Sequence, residues 1–135
     1  MITIQAKINA PIHHVWEKYT NPMDIMQWNS ASDEWHCPAA INDLKIGGKF
    51  AFTMAAKDDS HQFIFSGIYT DLQPLKTLAY TLDDERKVHI TFAEKENYVL
   101  LTLTFEPENT HPEEFQEQGW QAILNNFKTY VEQNN

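Results

Sequence analysis

The chain has 135 residues, the usual length of one domain, and its 42% hydrophobic and 13% aromatic content is that of a globular protein able to build a core. A net charge of −9 with no basic cluster argues against nucleic acid or an anionic membrane as partner, because affinity for both comes mainly from grouped Lys and Arg. The single cysteine, Cys37, allows no intrachain disulfide; the N-terminus MITIQAKINAP has no signal-peptide pattern, and no stretch approaches the roughly 20 apolar residues of a membrane span, so a soluble cytoplasmic protein is expected.

ITIQAKI places Ile2, Ile4, Ala6 and Ile8 on one side and Thr3, Gln5 and Lys7 on the other, the pattern of a half-buried strand. Pro11 suits the first turn of a helix, in which Ile12, Val15, Trp16 and Tyr19 share one face. Pro22 biases Asn21 away from helical backbone, and Asn21 can then cap a second short helix, PMDIMQW. Residues 29–40, NSASDEWHCPAA, read as an irregular loop.

After a glycine pair that turns or bulges the chain, Phe50, Phe52 and Met54 alternate with Ala51 and Thr53. HQFIFSGIYTDL is a longer strand with Phe63, Phe65 and Tyr69 in one phase and Ile64 and Ile68 in the other, so its inward face stays open. Gly67 within it suggests a bulge or bend. TLAYTL and KVHITF form a hairpin around DDER, with Leu78, Tyr80 and Leu82 on one face and Val88, Ile90 and Phe92 on another; YVLLTLTFEP follows after EKEN. Short turns throughout imply an antiparallel meander.

The last element, EEFQEQGWQAILNNFKTY, is an amphipathic helix that a capping box, Thr110 with Glu113, should open. Its apolar face carries Phe115, Trp120, Ile123, Phe127 and Val131, yet Gly119 sits in its middle at a cost of roughly 1 kcal/mol relative to alanine. The order is strand, two helices, about six strands and a long helix, in one domain spanning 1–135 without repeats or linkers. A bent antiparallel sheet with the long helix across its concave face would bury every apolar stripe, an α+β arrangement.

INAPIHHVWEKYTNPMDIMQW, DLKIGGKFAF, VHITF, LTLTF and GWQAILNNF, in that order, resemble the activator-of-Hsp90-ATPase-homologue-like domains of the START-like, Bet v 1-like superfamily, over residues 2–131. The resemblance implies a helix-grip fold with the two short helices bracing its far end. It also implies a deep apolar cavity between helix and sheet. Members of the superfamily bind lipids, sterols, polyketides or other hydrophobic molecules, serve as co-chaperone modules in the stress response, or act as enzymes or self-sacrificing resistance proteins, so fold does not settle function. Two departures stand out: ENY at 96–98 replaces the family's usual GGT, and the connection EPENTHP is too short for an elaborate lid. In this frame Gly119 is expected to let the helix backbone approach a neighbour, while Trp120 is either plain core or turned toward the cavity mouth.

The aromatic excess supplies the candidate site. Phe50, Phe52, Met54, Phe63, Phe65 and Tyr80 on strands, with Trp120 and Leu124 on the helix, line an apolar pocket, and Trp28 and Trp35 guard it. The same residues would make an ordinary core if the space were filled. His89 alternates opposite Val88 and Ile90 and so faces outward; in the reversed phase it becomes a polar group inside the cavity and a potential general base. His36 and Cys37 are adjacent, but neighbours in an extended chain point to opposite faces, so no thiolate pair follows. No metal-ligand spacing, P-loop, dinucleotide fingerprint or nucleophile elbow is present, and no cofactor or catalytic residue is assigned. A binding protein for a small hydrophobic molecule is the favoured reading. An enzyme using the cavity and a chaperone-binding module are the alternatives, and a homodimer stays open.

Overall fold

Alternation of apolar and polar residues in the first strand becomes alternation of burial: in β1 (Ile2–Ile8) the four even-numbered side chains are buried and the three odd-numbered ones exposed. The computed structural model, which describes residues 1–134, continues with α1 (Ile12–Thr20), α2 (Pro22–Trp28), β2 (Trp35–Asn42), β3 (Lys49–Ala56), β4 (Gln62–Gln73), β5 (Thr77–Leu82), β6 (Lys87–Glu94), β7 (Val99–Phe105) and α3 (Glu113–Gln133). The seven strands form one antiparallel sheet in the order β1-β7-β6-β5-β4-β3-β2. Strands β2 to β7 meander as their short turns dictate, and β1 crosses back to pair with β7, Ile2 opposite Phe105 and Ile8 opposite Val99.

Asn21 joins the two short helices as its position suggested. Its backbone N–H donates to Glu17 O at 2.9 Å, closing α1, and its Oδ1 accepts from the Met23 N–H at 2.9 Å, opening α2. The long helix α3 packs chiefly on β1, with smaller contacts to α1 and α2. Ile8, Val15, Ile25, Phe127 and Val131 are fully enclosed at this junction. This is the α+β helix-grip arrangement expected.

Three local expectations change. Residues 35–40, expected as loop, belong to strand β2, which runs on to Asn42. Pro38 obscured it, yet the proline falls in an edge strand where the register slips between His36 and Ala39, a place that needs no ladder bond from it. The capping box does not form: Pro112 is the N-cap of α3 and no side chain caps there. Lastly, Gly67 is not the bulge of β4, which lies between Tyr69 and Asp71. A Cβ at Gly67 would lie 2.5 Å from Thr81 O and 3.1 Å from the Phe50 ring, so the glycine makes room first for the neighbouring strand's carbonyl and then for that ring. The choice of phase follows: Phe65, Gly67 and Tyr69 turn inward, and Ile64 and Ile68 are left exposed on the outer face.

Gly67→Ala is therefore expected to destabilise by about 1–3 kcal/mol, the usual cost of overpacking. A urea midpoint equal to that of the wild type would show that the sheet accommodates the methyl group.

Candidate functional site

Helix α3 is unevenly buried, and this opens the site. In its second half Leu124, Phe127 and Val131 are buried; in its first half Phe115 is exposed, and Gly119 and Trp120 are half-buried. Where the helix leaves the inner faces of β3, β4 and β5 uncovered there is a cavity of about 790 Å³. Trp28, Trp35, Phe50, Phe52, Met54, Phe63, Phe65, Tyr80, Trp120 and Leu124 line it.

His89 does not. It pairs with Ala79 and Thr104 and is exposed on the outer face, because Val88 and Ile90 take the inner phase. His36 is exposed and Cys37 buried, on opposite sides of β2. Burial pushes the Cys37 thiol up, its Sγ lies 3.4 Å from Ala39 O, and it is no part of the cavity wall. Ala51, between two lining phenylalanines, faces the other way, opposite Ile41 and Ser66. Among the described residues no group of three or more His, Cys, Asp or Glu side chains could hold a metal ion.

The aromatic wall is braced ring against ring. Phe50 is its hub, with centroids 5.1 Å from Phe52, 5.2 Å from Tyr69 and 4.8 Å from Tyr80. Trp120 lies flat on Phe105, 4.0 Å apart, and meets Phe65 edge-on at 5.8 Å. It is thus both core and wall: one face packs, the other borders the cavity. Gly119 does not draw the backbone toward a neighbour, since a Cβ there would meet nothing within 4 Å. The missing side chain widens the cavity instead.

Several lining groups escaped the sequence reading. Tyr19 and Tyr69 sit in apolar patterns, which carry no sign of their hydroxyls, and both line the cavity. Arg86, the only arginine in the chain, borders the cavity from the β5–β6 turn, its Nε 2.7 Å from Asp84 Oδ2. Opposite, the loop before α3 is tied down by Gln116, whose Oε1 accepts from the Glu108 N–H at 2.9 Å and whose Nε2 donates to Glu108 O at 3.0 Å and His111 O at 2.8 Å. His111 stacks on Phe115 at 5.3 Å beside the opening. Partial desolvation pushes the Glu108 carboxyl up, but hydrogen bonds from the His111 backbone and side chain outweigh it and hold the group below its ordinary value. No spacing rule marks these residues, because they meet only through the loop's tertiary path.

Fold and cavity together define a START-like helix-grip domain. The family model for Activator of Hsp90 ATPase homolog 1-like protein matches residues 9–132, and the chain belongs to that family. The solution structure of the AHSA1-like protein from Aeromonas hydrophila is 40% identical, covering 98% of this chain and 92% of that one with a TM-score of 0.93. Chr148 from Cytophaga hutchinsonii is 47% identical over 98% of this chain and 92% of that one, with a TM-score of 0.85. Protein CV1439 from Chromobacterium violaceum, at 24% identity, covers 97% of this chain and 96% of that one; its TM-score of 0.87 speaks to the fold alone. No curated protein matches the sequence. No helix among the described residues is long and apolar enough to cross a membrane.

Two expectations follow from the cavity wall. Gly119→Ala should stabilise by up to about 1 kcal/mol, since the methyl group meets open space and the helix propensity gain is kept; a lower melting temperature would contradict this. The second concerns alkaline pH. Burial raises the hydroxyls of Tyr19, Tyr69 and Tyr80 above the ordinary value of 10.0. Unfolded tyrosine loses its proton near pH 10 while these keep theirs, so their contribution is whole below about pH 10 and drains away as pH climbs toward the folded values. The melting temperature should fall steeply above about pH 10, with phenolate absorbance from the three appearing together with unfolding. Their ionisation in a still-folded chain would refute the assignment.

Proposed function

We propose that this protein binds a small, largely aromatic hydrophobic molecule between the sheet and α3, for carriage, sensing or sequestration. The observation that carries the reading is the cavity of about 790 Å³ walled by aromatic rings. Its size falls within the range of about 300–1,000 Å³ typical of small-molecule sites. Protein interiors otherwise pack as densely as organic crystals, so space on this scale is not a packing defect. His89, the general base that an enzymatic reading would use, lies outside the cavity wall.

N-phenylnaphthylamine, an uncharged fluorescent probe, is the direct test. Its emission should rise and saturate at one probe per chain, and the melting temperature should rise by mass action, with about 2.7 kcal/mol of added stability at a hundredfold excess over Kd. Ile123→Trp, which fills the cavity from α3, should abolish both responses; Ala51→Trp, on the opposite face of the sheet, should keep them. A probe that neither brightens nor stabilises the wild type would sink the proposal. Native mass spectrometry of the protein purified from its own cells should add the mass of the natural occupant.

A further inference from the structure

Three tyrosine hydroxyls serve the inner part of the cavity, and two of them are uncommitted. Tyr19 on α1, Tyr69 on β4 and Tyr80 on β5 all line it. The Tyr69 hydroxyl donates to Asn42 Oδ1 at 2.6 Å, and Asn42 Nδ2 in turn donates to Thr20 O at 2.7 Å. The hydroxyls of Tyr19 and Tyr80 have no hydrogen-bond partner among the described residues. Among the described residues no side-chain nitrogen or oxygen sealed inside packed protein lacks a partner, so these two hydroxyls keep open surface, and the cavity that both side chains line is the space beside them. Tyr80 as a whole is only 8% exposed, which leaves the cavity as the space its hydroxyl faces.

Both rings are held in place. Tyr80 lies edge-on to Phe50 at 4.8 Å, and Tyr19 is stacked on Trp28 at 5.1 Å and edge-on to Phe127 at 5.0 Å. Burial first, then the nearness of the Tyr19 and Tyr69 hydroxyls, pushes the Tyr80 phenol well above its ordinary value. Each phenol therefore stays neutral and keeps a proton to donate at physiological pH. A buried donor left unpaired costs about 1–3 kcal/mol, so an occupant that supplies an acceptor removes a standing penalty.

The kind of acceptor follows from the charges nearby. The cationic or titratable bases on the wall, His61, Arg86 and His111, belong to the β3–β4 connection, the β5–β6 turn and the loop before α3. Of these only Arg86 acts electrostatically on Tyr80, and its charge is already taken by Asp84, whose Oδ2 lies 2.7 Å from its Nε. A carboxylate carried to the tyrosines would be stripped of water without an uncommitted cation of its own, a large penalty. A carbonyl oxygen carries no charge and has two lone pairs for two donors.

We propose that the cavity selects an apolar molecule bearing a carbonyl group, such as a ketone, quinone or ester, whose oxygen accepts hydrogen bonds from Tyr80 and Tyr19. This rests on the binding function proposed above and adds to it the chemical class of the occupant.

The test compares methyl naphthyl ketone with isopropenylnaphthalene, a hydrocarbon of the same shape, by quenching of tryptophan fluorescence. The wild type should bind the ketone more tightly by roughly fivefold to tenfold, the net gain of one to two hydrogen bonds after water's are given up. The infrared carbonyl stretch of the bound ketone should move to lower frequency. In Tyr19→Phe, Tyr80→Phe and the double variant the preference should shrink stepwise toward one and the stretch should return; hydrocarbon binding by the variants reports that the cavity has formed. If both probes bind the wild type equally with an unshifted stretch, or if the preference survives the double variant, the tyrosine assignment is overturned while the apolar cavity stands. If neither probe binds, both proposals fall.

Discussion

The seating of α3 governs the rest of this structure. A single helix cannot cover the concave face of a seven-stranded sheet. Leu124, Phe127 and Val131 lock its second half at the junction with β1, α1 and α2, where the enclosed core residues gather. The helix follows β1, and its first half still reaches the sheet where Trp120 lies on Phe105 of β7. The inner faces of β3, β4 and β5 are left without a helical cover, and the cavity is the space that remains.

Keeping that space open requires walls that do not collapse. The rings here are braced on one another rather than on the missing centre: Phe50 touches Phe52, Tyr69 and Tyr80, and Trp120 lies on Phe105. Aromatic rings suit this role, because edge and face contacts hold them in definite orientations and few rotamers remain to fold inward. The glycines serve the same end from opposite directions. Gly67 lets the Phe50 ring lie against the sheet, and Gly119 removes a side chain from the cavity's border. At the opening, Gln116 takes over the task expected of a capping box. It ties the preceding loop to the first turns of α3 and so fixes the rim.

Much of the architecture was legible because period and burial coincide. β1 and β5 to β7 present one apolar phase each, and Asn21 between two helical patterns has one sensible role. Legibility failed where two phases were both apolar, as in β4 with Phe63 and Phe65 against Ile64 and Ile68. It failed again where Pro38 made an edge strand look like a loop. The excess of rings was visible in the sequence, and ten of the aromatic and apolar positions named there border the cavity. The polar groups were not visible. Tyr19 and Tyr69 look like core residues in any pattern that scores hydrophobicity alone.

By itself, then, the sequence determined the succession of elements, the antiparallel meander and the aromatic character of the interior, because these follow from local periodicity and turn chemistry. Only the tertiary structure decided whether those rings fill a core or surround a space, which way β4 faces, and that the hydroxyls of Tyr19 and Tyr80, on two cavity-lining side chains, find no hydrogen-bond partner among the described residues. Those outcomes depend on how far α3 stands from the sheet, a distance set by contacts between residues remote in the chain, which no local pattern encodes.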